Sequence, residues 1–190
     1  EEDKHKGLLK ATELAGNALP TNGKATPEKA SPPQIQQTPA EKIRILTKIF
    51  ETFKNGLNHP VSIKPKEYLQ SRNLWPLSRP LSGVEVEIGY NSGQFHHHGK
   101  LNETDKQACI NAGLLIPYTG KTPNGSGTTY TPFAKDCIIF PLKNKEGEIV
   151  SIYGRSIIND DKSKHYYLKD RQGLYPNYPK PGTTKLILTE

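Results

Sequence analysis

The sequence predicts an α+β fold: a small mixed, mostly antiparallel sheet with flanking helices, preceded by a flexible linker and an isolated helix. Two apolar runs in the last third of the chain flank residues 144–147, a pattern typical of a β-hairpin. Earlier, apolar residues recur every three or four positions after Thr38, which indicates an amphipathic helix. Only 33% of the 190 residues are hydrophobic, so part of the chain is not expected to pack.

The first forty residues predict a helix and a linker. A short amphipathic helix is expected over residues 4–16, closed by Gly16. Residues 17–40 contain five prolines and few large aliphatic side chains, which cannot bury enough surface to offset the entropy of ordering. The sequence therefore predicts a flexible, proline-rich linker over residues 17–37.

A strong helix is expected over residues 38–56. Thr38 and Glu41 have the spacing of a capping box, and Pro39 occupies the first helical position between them. Gly56 predicts its end. Its apolar face comprises Ile43, Leu46, Ile49, Phe50 and Phe53.

The sheet and its second helix begin after residue 80. Val84, Val86, Ile88 and Tyr90 alternate with two glutamates, which is typical of a half-buried strand. Asn102 can cap a helix that runs through Ile110 and ends at Gly113. The Gly/Thr/Pro-rich residues 119–131 predict a loop.

The last third combines the hairpin with a basic, tyrosine-rich segment. Apolar runs at 137–142 and 148–155 flank a turn in which Gly147 can adopt a positive φ. The second run ends in Gly154-Arg155, where a glycine at a strand end lets a backbone or ligand approach closely. From residue 162 to residue 185 there are six Lys or Arg and one acid, which is +5 of the chain's net charge of +7. Cations interleaved with tyrosines are the composition that binds phosphates and stacks bases.

This block resembles the bacterial replicative primase family, the DnaG-type DNA primases. The resemblance covers roughly residues 61–190. It rests on short motifs that recur in the family's order: Phe140-Pro141, Gly147, Gly154-Arg155, residues 159–161, residues 164–168, Leu174-Tyr175 and residues 186–190. Upstream, residues 67–74 are similar to the family's early helix, residues 88–90 to its first strand end and residues 112–115 to the end of its next helix. These motifs resemble most those of primase-like proteins carried by mobile elements of Bacteroides-type bacteria.

The resemblance implies a domain order. Residues 1–16 would be the last helix of a zinc-binding domain whose ligands lie upstream. Residues 61–184 would be the DNA-binding, N-terminal subdomain of the catalytic core, and residues 185–190 the first strand of a TOPRIM domain. Glu190 matches the TOPRIM acid, which in the family acts with a later Asp-x-Asp pair to hold Mg²⁺ or Mn²⁺.

The function that the resemblance implies is synthesis of RNA primers on single-stranded DNA. The parent protein would be a nucleotidyltransferase whose partners are single-stranded template, ribonucleotides and a replicative helicase. This stretch alone is expected to be inactive and to carry no cofactor, because the Asp-x-Asp pair is not in it. The alternative is a non-catalytic nucleic-acid-binding accessory factor in mobilisation or replication, and a His-cluster metalloenzyme is a third, weaker interpretation.

Six residues are the candidate nucleic-acid or nucleotide ligands: Arg72, Arg155, Lys164, Tyr166, Lys169 and Arg171. Arg155 offers a planar fork to phosphate, unless it instead pairs with Asp160 or Asp161. Lys164 matches the family's Lys-Tyr segment, although here His165 intervenes before Tyr166. Tyr166 and Tyr167 alternate along a strand, so only one of them is expected to be exposed.

The remaining signals are structural. Adjacent histidines at 96–98 point to opposite sides of an extended segment, so no metal site is expected. Cys109 and Cys137 are expected to be buried, reduced thiols. No apolar run reaches the roughly 20 residues of a membrane span and no signal peptide is visible, which together predict a cytoplasmic protein.

Overall fold

The computed structural model describes residues 37–76, 86–97, 99–122, 125–158 and 163–185. Within these ranges the predicted α+β class is confirmed, since helices pack on antiparallel sheets. The expected N-terminal helix, the linker except Gln37, and Glu190 lie outside the described residues.

Helix α1 spans Pro39–Asn58 and begins as predicted. The Thr38 hydroxyl accepts a hydrogen bond from the Glu41 amide at 3.2 Å, and Pro39 is the first helical residue. The predicted end at Gly56 is wrong, because burial of Leu57 extends the helix by a further half turn. Six buried residues form its packed face: Ile45, Leu46, Ile49, Phe50, Phe53 and Leu57. Ile43, which was expected on that face, is only partly buried.

Helix α2 spans Ile63–Gln70, four residues earlier than the sequence suggested. It ends because Asn73 adopts a left-handed conformation with φ of 57°. The Leu74 amide then donates to the Leu69 carbonyl at 2.8 Å, which closes the helix end.

Strand β1 covers only Gly89–Asn91, shorter than the strand predicted over residues 84–90. Glu87 does not face open solvent as the alternation implied. Its carboxylate forms ion pairs with Lys54, at 3.4 Å, and with Lys143.

Helix α3 spans Glu103–Asn111 and confirms the predicted capping. The Asn102 side chain accepts from the Asp105 amide at 2.7 Å. Asp105 is buried and also receives Arg44 at 2.9 Å and Lys48 at 2.6 Å, which ties α3 to α1. These two hydrogen bonds hold the pKa of the Asp105 carboxyl below its ordinary value.

A second hairpin replaces the loop predicted over residues 119–131. Strands β2, Leu115–Thr122, and β3, Gly125–Pro132, pair as a separate two-stranded sheet. Their register brings Tyr118 opposite Thr129 and Ile116 opposite Thr131. Threonine favours strands, and the glycines and prolines of this stretch concealed that preference.

The predicted main hairpin is confirmed as β4, Cys137–Lys143, and β5, Ile149–Ser156. Its turn is closed by the Gly147 amide, which donates to the Asn144 carbonyl at 3.1 Å. Gly147 has the expected positive φ, 83°. Strand β6, His165–Tyr167, then pairs with β5, which gives a four-stranded sheet of order β1-β4-β5-β6. All the strand pairings described are antiparallel.

The two faces of this sheet pack differently. On the first face Ile139 and Ile152 join the main core, which α1 and α3 cover. On the second face Ile138 joins a smaller core with Leu57 and Leu69, which α2 covers in part. Successive residues of one strand point to opposite faces, so β4 and β5 contribute to both cores.

Gly154 has a packing role that corrects the sequence interpretation. It lies within β5 rather than at its end. A Cβ atom there would lie 2.6 Å from the Cβ of Ala134. The close approach is therefore made by a neighbouring side chain of the main core and not by a ligand.

Both thiols are buried and reduced, as predicted. Burial raises the pKa of Cys109 to about 12, so this thiol stays protonated and unreactive near neutral pH. Among the described residues, no helix combines the length and the apolar character that crossing a bilayer requires.

Candidate nucleic-acid interface

The second face of the sheet carries a row of aromatic rings that crosses three strands. Phe140, Tyr153 and Tyr167 are cross-strand neighbours on β4, β5 and β6. Their rings stack, with centroids 5.5 Å apart between the first two and 4.9 Å apart between the last two. Cross-strand aromatic pairs stabilise a sheet, and here they also form a flat platform.

Arg155 lies beside this row, two residues after Tyr153 and on the same face of β5. Its Nε donates to the Tyr68 hydroxyl of α2 at 3.4 Å, and its Nη1 donates to His165 Nε2 of β6. The hydrogen bond to Tyr68 raises the pKa of the guanidinium above its ordinary value. Arg155 is therefore a fixed cation held between a helix and a strand.

A groove opens around this arginine between α2 and the sheet. It has a volume of about 540 Å³. Eight residues line this Arg155 groove: Tyr68, Leu69, Arg72, Leu74, Phe140, Tyr153, Arg155 and His165. None of these described lining residues is acidic, and two of them, Arg72 and Arg155, are cations.

Arg72 is the second cation of the groove. Its guanidinium lies 5.4 Å from the centre of the Tyr68 ring, a cation–π geometry. Tyr68 and Arg72 are four residues apart, so the chain folds them onto one side of α2 and its C-terminal turn. The structure thus places Arg72 and Arg155, two of the six candidate residues, in the same groove.

Arg171 caps the aromatic row. Its guanidinium carbon lies 3.9 Å from the centre of the Tyr167 ring. The same ring stacks on Tyr153, with centroids 4.9 Å apart. The guanidinium of Arg171 is exposed and can itself stack on a base or bind phosphate.

The other three candidates lie apart from the groove. Tyr166 faces the main core and packs edge-on against Phe133, so Tyr167 is the exposed tyrosine of the pair. Lys164 is exposed, but strand alternation puts it on the side of Tyr166. Lys169 is exposed in the loop before Arg171.

Sequence reasoning missed Tyr68, Tyr153 and His165 as groove residues. Tyr153 could have been found, since it is two residues before Arg155 and must share its face of β5. Tyr68 could have been found from its spacing to Arg72. His165 gave no such signal, because its role depends on the pairing of β6 with β5.

The histidine segment does not gather metal ligands. His96 is partly buried against Phe95 and Tyr130, and burial lowers the pKa of its imidazole. Over the residues that the structure describes, no three His, Cys, Asp or Glu side chains are clustered as a metal site needs. His98 lies outside those residues.

Most of this chain is similar to known proteins. A family model described as the DNA primase catalytic core, N-terminal domain, matches residues 52–174. The DNA primase of Escherichia coli K12 is 26% identical over 134 residues, which are 69% of this chain and 21% of that protein. The DNA primase of Salmonella typhimurium is 24% identical over 124 residues, which are 62% of this chain and 19% of that protein. The chain thus spans about a fifth of the length of these relatives.

Solved structures show the same fold. A DNA primase domain from Pseudomonas aeruginosa has a TM-score of 0.52 at 21% identity, over 73% of this chain and 40% of that one. The zinc-binding and RNA polymerase domains of the Aquifex aeolicus primase have a TM-score of 0.51 at 17% identity, over 90% of this chain and 36% of that one. A DnaG primase catalytic domain bound to ssDNA has a TM-score of 0.53 at 20% identity, over 70% and 40%.

These observations define an α+β domain in which a groove lined by two arginines lies beside a row of stacked aromatic rings. The family match covers more than half of the chain, and the chain belongs to the DnaG-type DNA primases, as the N-terminal domain of their catalytic core.

Proposed function

We propose that this domain holds the single-stranded DNA template for a DnaG-type primase, through the Arg155 groove and the aromatic row beside it. The observation that carries the proposal is the alignment of Arg72, Arg155 and Arg171 along one open face. Each of these guanidiniums contacts a tyrosine. Cations that track a phosphate backbone beside stacked rings are the usual means of binding single strands.

Arg155 keeps the hydrogen-bonding capacity that the role requires. A guanidinium has about five N–H donors. Tyr68, His165 and Tyr153 accept part of these hydrogen bonds, and the remaining donors can bind phosphate oxygens. Because the protein fixes the plane of the guanidinium, little entropy is lost when it binds phosphate.

A similar structure lends support, since it is of a DnaG primase catalytic domain bound to ssDNA. The role of the whole protein is part of the same proposal: template-directed joining of ribonucleotides into RNA primers during replication of a mobile element, with a helicase as partner. Lys164 and Lys169 would contact the strand outside the groove.

Mg²⁺ or Mn²⁺ would belong to another part of the protein. The described residues offer no cluster of ligands that fits such an ion, and no step of template binding passes through a metal. Glu190, the proposed TOPRIM acid, lies outside the described residues.

The test is binding of labelled oligo-dT to the 190-residue chain by fluorescence anisotropy. Arg155→Ala is expected to weaken binding by about 1–2 kcal/mol, the loss of one charge-assisted contact. The slope of log affinity against log salt should become shallower by about 0.7, the value per contact on single strands. Arg155→Lys should restore only part of the affinity, because an ammonium cannot reproduce the planar fork.

The matched control is Lys145→Ala, which removes the same charge from the exposed turn at the opposite end of β5. The melting temperature should be measured on each variant. If Arg155→Ala lowers the melting temperature and leaves affinity unchanged, Arg155 is a structural residue and the proposal fails. If the two variants weaken oligo-dT binding equally, binding depends on net charge alone and not on the groove.

A further inference from the structure

A second pocket lies at the other end of helix α2, between that helix, the end of α1 and strand β1. It has a volume of about 730 Å³, which is within the roughly 300–1,000 Å³ of ligand sites. Val61, Ile63 and Lys64 line it from the start of α2 and the turn before it. Tyr90 lines it from β1, and Lys100 lines it from the loop that follows. We call this concavity the Lys64 pocket.

The charge of the Lys64 pocket favours an anionic ligand. Its described lining residues include the cations Lys64 and Lys100, and none of them is acidic. Lys64 is exposed and takes part in none of the ion pairs found among the described residues. Lys100 is also exposed, and its ammonium donates to the Gln94 carbonyl at 3.3 Å, which holds it at the pocket.

Two aliphatic side chains of the pocket are unusually open to solvent. Val61 is 77% exposed and Ile63 is 60% exposed, although Ser62 between them is buried. Apolar side chains that stay exposed together at a concave surface are typical of a binding site. Beside two ammonium groups, they offer contact to the sugars and bases of a strand whose phosphates the lysines bind.

Helix α2 connects the Lys64 pocket to the Arg155 groove. Lys64, Tyr68 and Arg72 recur at every fourth position, so they lie on one side of α2 and its C-terminal turn. Lys64 lines the pocket, whereas Tyr68 and Arg72 line the groove. The helical rise separates Lys64 from Arg72 by about 12 Å along the axis, a distance that a few nucleotides of a single strand span.

We propose that the single-stranded template continues from the Arg155 groove along α2 into the Lys64 pocket. There Lys64 and Lys100 bind phosphate oxygens, and Val61 and Ile63 contact the sugars and bases. This inference rests on the proposed function, because it extends the same strand. A strand that occupies both concavities gains the second set of contacts without a second loss of translational freedom. A strand too short to reach both gains nothing from the pocket.

The test compares oligo-dT of about 4 and about 12 nucleotides, lengths within the roughly 4–16 that one small domain covers, by fluorescence anisotropy on the 190-residue chain. Lys64→Ala should weaken binding of the longer strand about three- to tenfold, the loss of one phosphate contact. Its salt slope should become shallower by about 0.7. Affinity for the shorter strand should not change. Arg155→Ala should weaken binding of both lengths.

Glu67 provides the opposite change on the same path. It is exposed and lies three residues after Lys64, so its carboxylate flanks a strand that follows α2. Glu67→Gln removes a charge that repels phosphates and should strengthen binding of the longer strand about two- to threefold. The control is Lys145→Ala on the distant turn, which should show no preference for strand length.

The outcomes separate this inference from the proposed function. If Lys64→Ala leaves the longer strand unaffected, or weakens both lengths equally, the strand does not enter the Lys64 pocket and only this inference fails. The same holds if Glu67→Gln does not strengthen binding of the longer strand. If wild type binds neither length, the proposed function fails together with it. The number of binding registers on a longer strand is the same for every variant, so it cancels in the comparison.

Discussion

The two faces of strand β5 differ in chemistry although they alternate along the same eight residues. Ile152 and Gly154 point to the main core, where the isoleucine is fully buried and the glycine admits Ala134. Tyr153 and Arg155 point to the groove, where they contact other rings and cations. The face of β5 toward the main core excludes water, whereas the face toward the groove keeps N–H donors that can bind a ligand.

The comparison teaches that stability and binding are separable on this strand. Apolar burial on the first face contributes to folding in proportion to the area removed from water. The cations of the second face contribute little to folding, because exposed charges are well solvated. A substitution on the core face of β5 is therefore expected to lower stability and leave oligo-dT affinity unchanged. A substitution on the groove face is expected to do the reverse.

The largest effect is expected from Ile152→Ala. Removing a fully buried isoleucine should lower the free energy of unfolding by about 2–5 kcal/mol, with unchanged oligo-dT affinity in the folded protein. Urea denaturation gives the first quantity and anisotropy the second. Ile152→Val, which costs about 0.5–1.5 kcal/mol, keeps the test valid if the alanine variant does not fold.

The control for that change is Ile116→Ala on strand β2, where the side chain is 60% exposed. It should alter stability by no more than about 0.5 kcal/mol. Comparable losses at the two isoleucines would mean that β5 does not face a packed core.

Gly154→Ala tests the same face by adding volume instead of removing it. The new Cβ would meet Ala134, and such overpacking costs about 1–3 kcal/mol. Ala134 itself has a φ of 46°, a conformation that glycine adopts without strain. Adding Ala134→Gly should therefore recover most of the lost stability, as measured by thermal denaturation. If the double variant recovers no stability, contact with Ala134 is not the reason that position 154 holds a glycine.

The smallest effect is expected on the groove face, at Tyr167. Tyr167→Ala removes the ring beneath Arg171, a contact worth about 0.5–1 kcal/mol at an exposed site. Oligo-dT affinity should fall about two- to fivefold, while Tyr167→Phe keeps the ring and should bind like wild type. If Tyr167→Phe also loses affinity, the hydroxyl and not the ring contacts the strand.

Local chemistry predicted the elements whose signals are contained in a few adjacent residues. The cap at Thr38, the cap at Asn102 and the turn at Gly147 were each correctly placed because a side chain or a positive φ determines them within one turn. The β2–β3 hairpin was missed because its threonines, glycines and prolines give no apolar alternation. The position of α2 was missed because Asn73, rather than a glycine, ends it.

The candidate site was predicted in part for the same reason. Arg72, Arg155 and Arg171 were named from charge and from family resemblance, and the structure gives each a tyrosine partner. Lys164 and Tyr166 were named from the same motif but lie toward the other side of β6. Facing direction on a three-residue strand depends on its register with β5, which no local pattern encodes.

The sequence by itself determined the α+β class, the main hairpin, the buried thiols and the concentration of positive charge near the C-terminal end of the chain. Those features follow from hydrophobic periodicity, turn chemistry and composition, which act over short stretches. Only the tertiary structure decided which cations converge. The Arg155 groove brings together Tyr68, Arg155 and His165 from one helix and two strands, and His165 meets Arg155 only because β6 pairs with β5.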